Sequence, residues 1–103
     1  MKVTIKNKEI ELRYSFRSMM IYEKITGTSF NPKGVTEIMI YFYSSILASD
    51  KNIDLSFEDF MNWIDENPNA LNDFTMWITS TLTKNSVLNE SDGSGDNSNV
   101  KKN

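Results

Sequence analysis

The spacing of apolar residues changes several times along the chain, and each change marks an element. Val3, Ile5, Ile10, Leu12 and Tyr14 fall on alternating positions of two short stretches, the period of half-buried strands. A two-residue turn at Asn7-Lys8 would set Lys6 opposite Glu9, Ile5 opposite Ile10 and Val3 opposite Leu12. Such a hairpin has one apolar and one charged face, and a slip by one residue would destroy both. Lys8 is a poor residue for a type I′ turn, which leaves the turn type open.

From Ser15 onward the period becomes helical. Phe16, Met19 and Met20 share one face of a helix over residues 16–26, and Gly27 supplies a left-handed stop. Ile21, Tyr22 and Ile25 lie on the opposite side, which predicts a helix sandwiched between other elements. Glu23 interrupts the Met19 and Met20 side and reads as a carboxylate at the margin of the core, bonded to a cation or a backbone amide. Asn31-Pro32 opens a second helix, in which Val35, Ile38, Met39, Phe42, Ile46 and Leu47 form the clearest stripe in the chain. Ile40, Tyr41 and Tyr43 add apolar bulk off that stripe, so this helix, ending near Ser49, is expected to be central.

A polar link, Asp50 to Asp54, precedes Leu55-Ser56-Phe57-Glu58-Asp59-Phe60. Here Ser56 can cap the amide of Asp59, and Leu55 can staple against Phe60. The third helix therefore starts at Phe57, with a stripe of Phe57, Phe60, Met61 and Ile64, Trp63 at its edge, and a stop at Asn67-Pro68. A fourth helix, about residues 70–84, carries Leu71, Phe74, Ile78 and Leu82 on one face, Met76 nearly opposite and Trp77 on the flank. Beyond Leu88 the chain turns to Asn, Ser, Asp and Gly, a composition that cannot bury enough apolar surface to offset its ordering entropy. The expected fold is mainly α: an N-terminal β-hairpin, then a compact bundle of about four helices in one domain, residues 1–88, and a disordered C-terminal tail, residues 89–103.

Composition supports a folded core and narrows the chemistry. Six Phe, four Tyr, two Trp and six Met in 103 residues are dense enough for a single small domain. With neither cysteine nor histidine, the chain has no thiolate nucleophile, disulfide framework, imidazole base or imidazole metal ligand. Fourteen acidic residues face eleven basic ones, and the basic residues are scattered where a phosphate-binding face would gather them, so no nucleic acid is expected as a partner. No signal-peptide core opens the chain and no apolar run reaches the roughly 20 residues of a membrane span. A cytosolic protein is expected.

Three kinds of candidate chemistry present themselves. Asp50-Lys51-Asn52-Ile53-Asp54 and Asp92-Gly93-Ser94-Gly95-Asp96 begin like calcium loops, but Leu55 and Asn97 stand where the sharp turn needs Gly, and Met61 and Asn103 where a bidentate Glu should sit. Glu58, Asp59, Asp65 and Glu66 cluster on the third helix, away from its apolar stripe, as a solvated face. The four glycines are isolated and form no phosphate cradle. No catalytic, cofactor or metal site is expected.

The runs Ile10-Glu11-Leu12-Arg13-Tyr14-Ser15-Phe16-Arg17 and Ile21-Tyr22-Glu23-Lys24-Ile25-Thr26-Gly27 resemble the opening of bacteriophage tail assembly chaperones. Leu55-Ser56-Phe57-Glu58-Asp59-Phe60, ahead of Asp65-Glu66-Asn67-Pro68, looks like the third-helix region of that family, and the likeness spans about residues 3–85. The resemblance implies a non-catalytic protein of the host bacterial cytoplasm that coats the tape measure protein, helps recruit tail tube subunits and leaves before the virion is complete. Members of the family are often made in two lengths by ribosomal frameshifting, and Val100-Lys101-Lys102-Asn103 is compatible with an A-rich slippery site. Tyr41, Tyr43, Trp63, Met76 and Trp77 are the expected partner-binding residues, being large and off the main stripes, and self-association is a further expectation. The competing expectations are a structural or head-tail connector component retained in the particle, and a small protein-binding regulator.

Overall fold

A computed structural model describes residues 1–93, with side chains described through residue 83. Of the expected tail, residues 89–93 continue the last helix, which runs past its expected end near residue 84, and residues 94–103 lie outside the described residues. Strands β1 (Lys2–Ile5) and β2 (Lys8–Glu11) form an antiparallel hairpin, followed by helices α1 (Phe16–Thr26), α2 (Val35–Ser49), α3 (Phe57–Glu66) and α4 (Pro68–Gly93).

The hairpin turns one step earlier than expected. Val3 pairs with Ile10 and Ile5 with Lys8, so the loop is Lys6-Asn7, both at positive φ of 52° and 62°. This is the type I′ conformation, and it places an asparagine, which tolerates the left-handed region, at a position the Asn7-Lys8 turn would have given to lysine. The register moves by two residues, an even number, so Val3, Ile5, Ile10 and Leu12 all stay on one face, and all are buried. Lys8, released from the turn, reaches Asp50 at 2.6 Å, and Lys6 donates to the carbonyl of Asp54 at 2.6 Å.

Helix α1 begins and ends where its caps demand. The Ser15 hydroxyl accepts from the amide of Ser18 at 3.1 Å, and Gly27, at φ 71°, donates its amide to the Glu23 carbonyl at 2.8 Å. The Glu23 carboxylate accepts from the amide of Phe30 at 2.7 Å, fastening the α1–α2 loop to α1; its partner is a backbone amide as expected, but the residue is exposed and does not sit at the margin of the core. Helix α2 starts three residues after Pro32, at Val35, where the Glu37 carboxylate takes the amide of Gly34 at 2.8 Å. Ser56 caps α3 through the amide of Asp59 at 3.1 Å, and Leu55 and Phe60 are both buried, as a staple requires. Pro68 is the first residue of α4, a position that needs no amide hydrogen, which lets α4 follow α3 across Asn67.

The core is aromatic and centred on α2. Phe42 stacks parallel on Phe74 at 4.3 Å between ring centres and meets Phe60 and Trp63 edge-on at 5.3 and 5.9 Å. A second group joins it, in which Tyr41 meets Phe30 at 4.7 Å, Phe74 at 5.8 Å and Tyr22 at 6.2 Å. The hairpin's apolar face closes one side of this core. It is pinned to α3 by Trp63, whose indole N–H donates to the carbonyl of Thr4 at 3.0 Å. That carbonyl faces outward because Ile5 and Lys8 flank the two-residue loop, which turns the polar groups of the next residue, Thr4, to the open edge of the ladder.

Candidate protein-binding surface

The five side chains expected to meet a partner lie in very different surroundings. Tyr41 is 0% exposed and is corrected to a core residue. Its position off the α2 stripe is covered by α1, and its hydroxyl lies 3.0 Å from that of Ser18, itself buried. Burial raises the Tyr41 phenol above its ordinary pKa, against the opposing pull of the Ser18 and Ser45 hydrogen bonds. Tyr43 is half-buried, donates to the carbonyl of Leu55 at 2.6 Å and packs edge-on against Phe57 at 5.2 Å. Burial, then the Asp59 charge, raises its pKa too. Trp63 and Trp77 are half-buried against the core, Trp63 through Phe42 and Thr4 and Trp77 through Phe74. Only Met76, 65% exposed, stands in solvent as the expectation required.

Other large apolar side chains are open instead. Phe16 is 82% exposed and Met20 61% on one side of α1, and Ile25 is open on its other side; Val35 opens α2, and Phe57 and Met61 lie on α3. Five of these six had been placed on buried stripes by periodicity, and Ile25 had been put on the opposite, equally apolar side of α1. Helix α1 is therefore not sandwiched: it turns Ser18 and Tyr22 to the core and leaves Phe16 and Met20 outside. A signal for this was present in the charges. On a helical wheel Arg17 and Lys24 fall among Phe16, Met20 and Ile21, and a face carrying two cations is not a core face.

The α1 face holds a shallow depression lined by Arg17, Met20, Ile21 and Lys24. Neither Arg17 nor Lys24 forms an ion pair among the described residues, whose ion pairs join Met1 to Glu11, Lys6 to Asp59 and Lys8 to Asp50. An apolar strip with unpaired cations can bind an apolar surface bordered by carboxylates. A second depression, between β2 and the end of α2, sets Arg13, Arg17 and Lys51 beside Glu9, Glu11 and Asp50 and is balanced in charge. The Asp50 carboxylate there is engaged by Lys8 and by the amide of Asn52 at 3.0 Å, and those bonds lower its pKa, the Lys8 bond most. Its use in a calcium loop would cost both.

Among the described residues no three or more His, Cys, Asp or Glu side chains converge as a metal ion would need, and no helix is long and apolar enough to cross a membrane. No family model, curated protein or solved structure matches the chain.

Proposed function

We propose that the chain is a tail assembly chaperone of a long-tailed bacteriophage or prophage, a non-catalytic protein of the host cytoplasm that binds the tape measure protein and helps recruit tail tube subunits. Support comes from the sequence likeness at residues 10–27 and 55–68. The single structural observation that carries the reading is the set of large apolar side chains, Phe16, Met20, Val35 and Met76 foremost, held in solvent by a small domain. A tape measure chain is long and presents apolar helical faces, and many weak contacts, each roughly micromolar, could shield it while still yielding to polymerising tube protein. Holding such side chains in water has no benefit to the isolated domain, so a surface of this kind is most useful against a partner.

The test is co-expression with the tape-measure-sized reading frame next to its gene. The chain is expected to raise the soluble fraction of that protein, to co-purify with it and to be absent from finished virions. Unchanged solubility with no co-purification would remove this function, and the chain's presence in purified particles would favour the structural-component alternative.

A further inference from the structure

The two edges of the hairpin are finished differently. The Leu12 amide donates to the Met1 carbonyl at 2.7 Å, and Val3 pairs with Ile10 and Ile5 with Lys8. The ladder bonds fall on those pairs, so the amides and carbonyls of the residues between them point outwards. On β1 these groups belong to Lys2 and Thr4, and the Trp63 indole takes the Thr4 carbonyl. On β2 they belong to Glu9 and Glu11, and among the described residues no hydrogen bond reaches either main chain from outside the hairpin. That open edge lines the depression between β2 and the end of α2, together with Arg13, Arg17 and Lys51. The depression is balanced in total charge, but its carboxylates are not equally free. Glu11 is held by the Met1 ammonium at 2.9 Å and Asp50 by Lys8 at 2.6 Å. Arg13, Arg17 and Lys51 form no ion pair among the described residues, which leaves three cations against the carboxylate of Glu9.

We propose that β2 accepts an added strand: an extended segment of a partner protein, acidic on alternate residues, pairs with the main chains of Glu9 and Glu11 and lays its carboxylates along Arg13, Arg17 and Lys51. An unpaired strand edge is a template for another chain, and in recognition of this kind the main-chain bonds supply affinity while alternate side chains supply specificity. The alternation follows from the pleat. Residues of the segment that lie beside Glu9 and Glu11, on the charged face of the hairpin, avoid carboxylates, whereas the residues between them turn towards the end of α2 and the free cations. A second copy of β2 is a poor occupant, because it would set Glu9 and Glu11 of the two chains side by side. The edge of β1 is a poor site, because Trp63 already holds it. Strand β2 is only four residues long and three of them are charged, features that keep an edge from pairing indiscriminately, so a short peptide of matching charge should bind with a dissociation constant of about 0.1 to 1 mM. The inference goes beyond the chaperone reading, does not require it, and is tested on the chain alone.

The experiment is titration of the isotope-labelled full chain with a capped six-residue peptide of alternating Thr and Glu, followed through the amide resonances. Saturable shifts are expected at Glu9, Glu11 and Lys51. Amide exchange should slow at Glu9 and Glu11 and change little at Ile10, whose amide already lies in the ladder. The same peptide with Lys in place of Glu should bind about tenfold more weakly or worse. In a chain carrying Arg13→Glu with Lys51→Glu the order should reverse, the Lys peptide now binding better than the Glu peptide, and a variant that had merely lost its fold could not make that exchange. Methyl groups on the peptide amides separate strand pairing from charge attraction, because only every second amide of an added strand faces β2. Methylation of one alternate set should abolish binding, and methylation of the other should leave it nearly unchanged. The absence of saturable shifts at Glu9 and Glu11, equal binding of the Glu and Lys peptides to the wild-type chain, or like behaviour of the two methylated sets would each overturn the proposal.

Discussion

Helices α1 and α2 pack on each other, and both carry large apolar side chains on two sides, yet one is enclosed and the other is not. Helix α2 meets α1, strand β2 and α4, so Tyr41, Phe42 and Ile46 are fully buried although they point in different directions. Helix α1 is covered through its α2 side, where Ser18 and Tyr22 are buried, while Phe16 and Met20 face water. The difference teaches that the apolar content of a helix does not decide its burial. Burial depends on how many neighbours the connections bring to it, and the surplus apolar face of a helix with one neighbour is what a partner can use.

The sharpest way to break the comparison is to remove an equivalent side chain from each helix. Phe42→Ala deletes the ring that stacks on Phe74 and touches Phe60 and Trp63, and should cost about 3–5 kcal/mol of unfolding free energy. In a domain of this size that is a large share of the total, so the variant should show a much lower urea midpoint or no cooperative transition. A loss under about 1 kcal/mol would mean that the aromatic cluster does not organise the fold.

A finer probe lies where the two helices touch. Tyr41→Phe removes the hydroxyl beside Ser18 and leaves the Ser18 hydroxyl its bond to the Ser15 carbonyl at 2.6 Å, so the expected cost near neutral pH is about 1 kcal/mol. The effect should depend on pH. Burial raises the Tyr41 pKa in the fold above the ordinary phenol value of about 10. The folded chain thus holds that proton more tightly than the unfolded chain. The associated stability is fully present below about pH 10 and is lost as pH rises through the folded value. Tyr22 and Tyr43 shift in the same direction, also chiefly through burial. Wild type should therefore lose stability faster than Tyr41→Phe above about pH 10, and urea midpoints of the two, measured at neutral and at alkaline pH, should converge. A gap that stays constant would show that Tyr41 ionises alike in both states.

Much of this architecture was legible because caps and breakers act locally. Ser15, Gly27, Ser56 and Pro68 each fix a boundary through a bond or a dihedral that depends on a few neighbours, and α1 and α3 begin where those residues require. The hairpin's faces were legible for the same reason, while its register was not, because a two-residue shift preserves every face and either turn places Asn7 and one lysine in the loop. The binding surface was harder. Choosing residues off the main stripe assumed that the stripe alone is buried, and α2 is covered on too many sides for that, which is why Tyr41 lies in the core. Phe16 and Met20 sit on a regular stripe, and periodicity cannot tell a face that meets a neighbour from one that waits for a partner. The interleaved Arg17 and Lys24 carried that information.

The smallest expected effect on stability is also the one that separates the two helices most cleanly. Phe16→Ser with Met20→Ser changes two large side chains that water already surrounds, so the folded state loses little buried area. The unfolding free energy should stay within about 0.5 kcal/mol of wild type, while Phe42→Ala, one ring on the neighbouring helix, costs several times more. Binding of a partner through α1 should nevertheless be lost in the same double variant, since its apolar strip would be gone although Arg17 and Lys24 remain. Urea denaturation of the variant, read beside its co-purification with the co-expressed tape-measure-sized protein, makes this check. A destabilisation above about 1.5 kcal/mol would place Phe16 or Met20 in the core, whereas a stable variant that no longer associates is what a surface shaped for a partner requires.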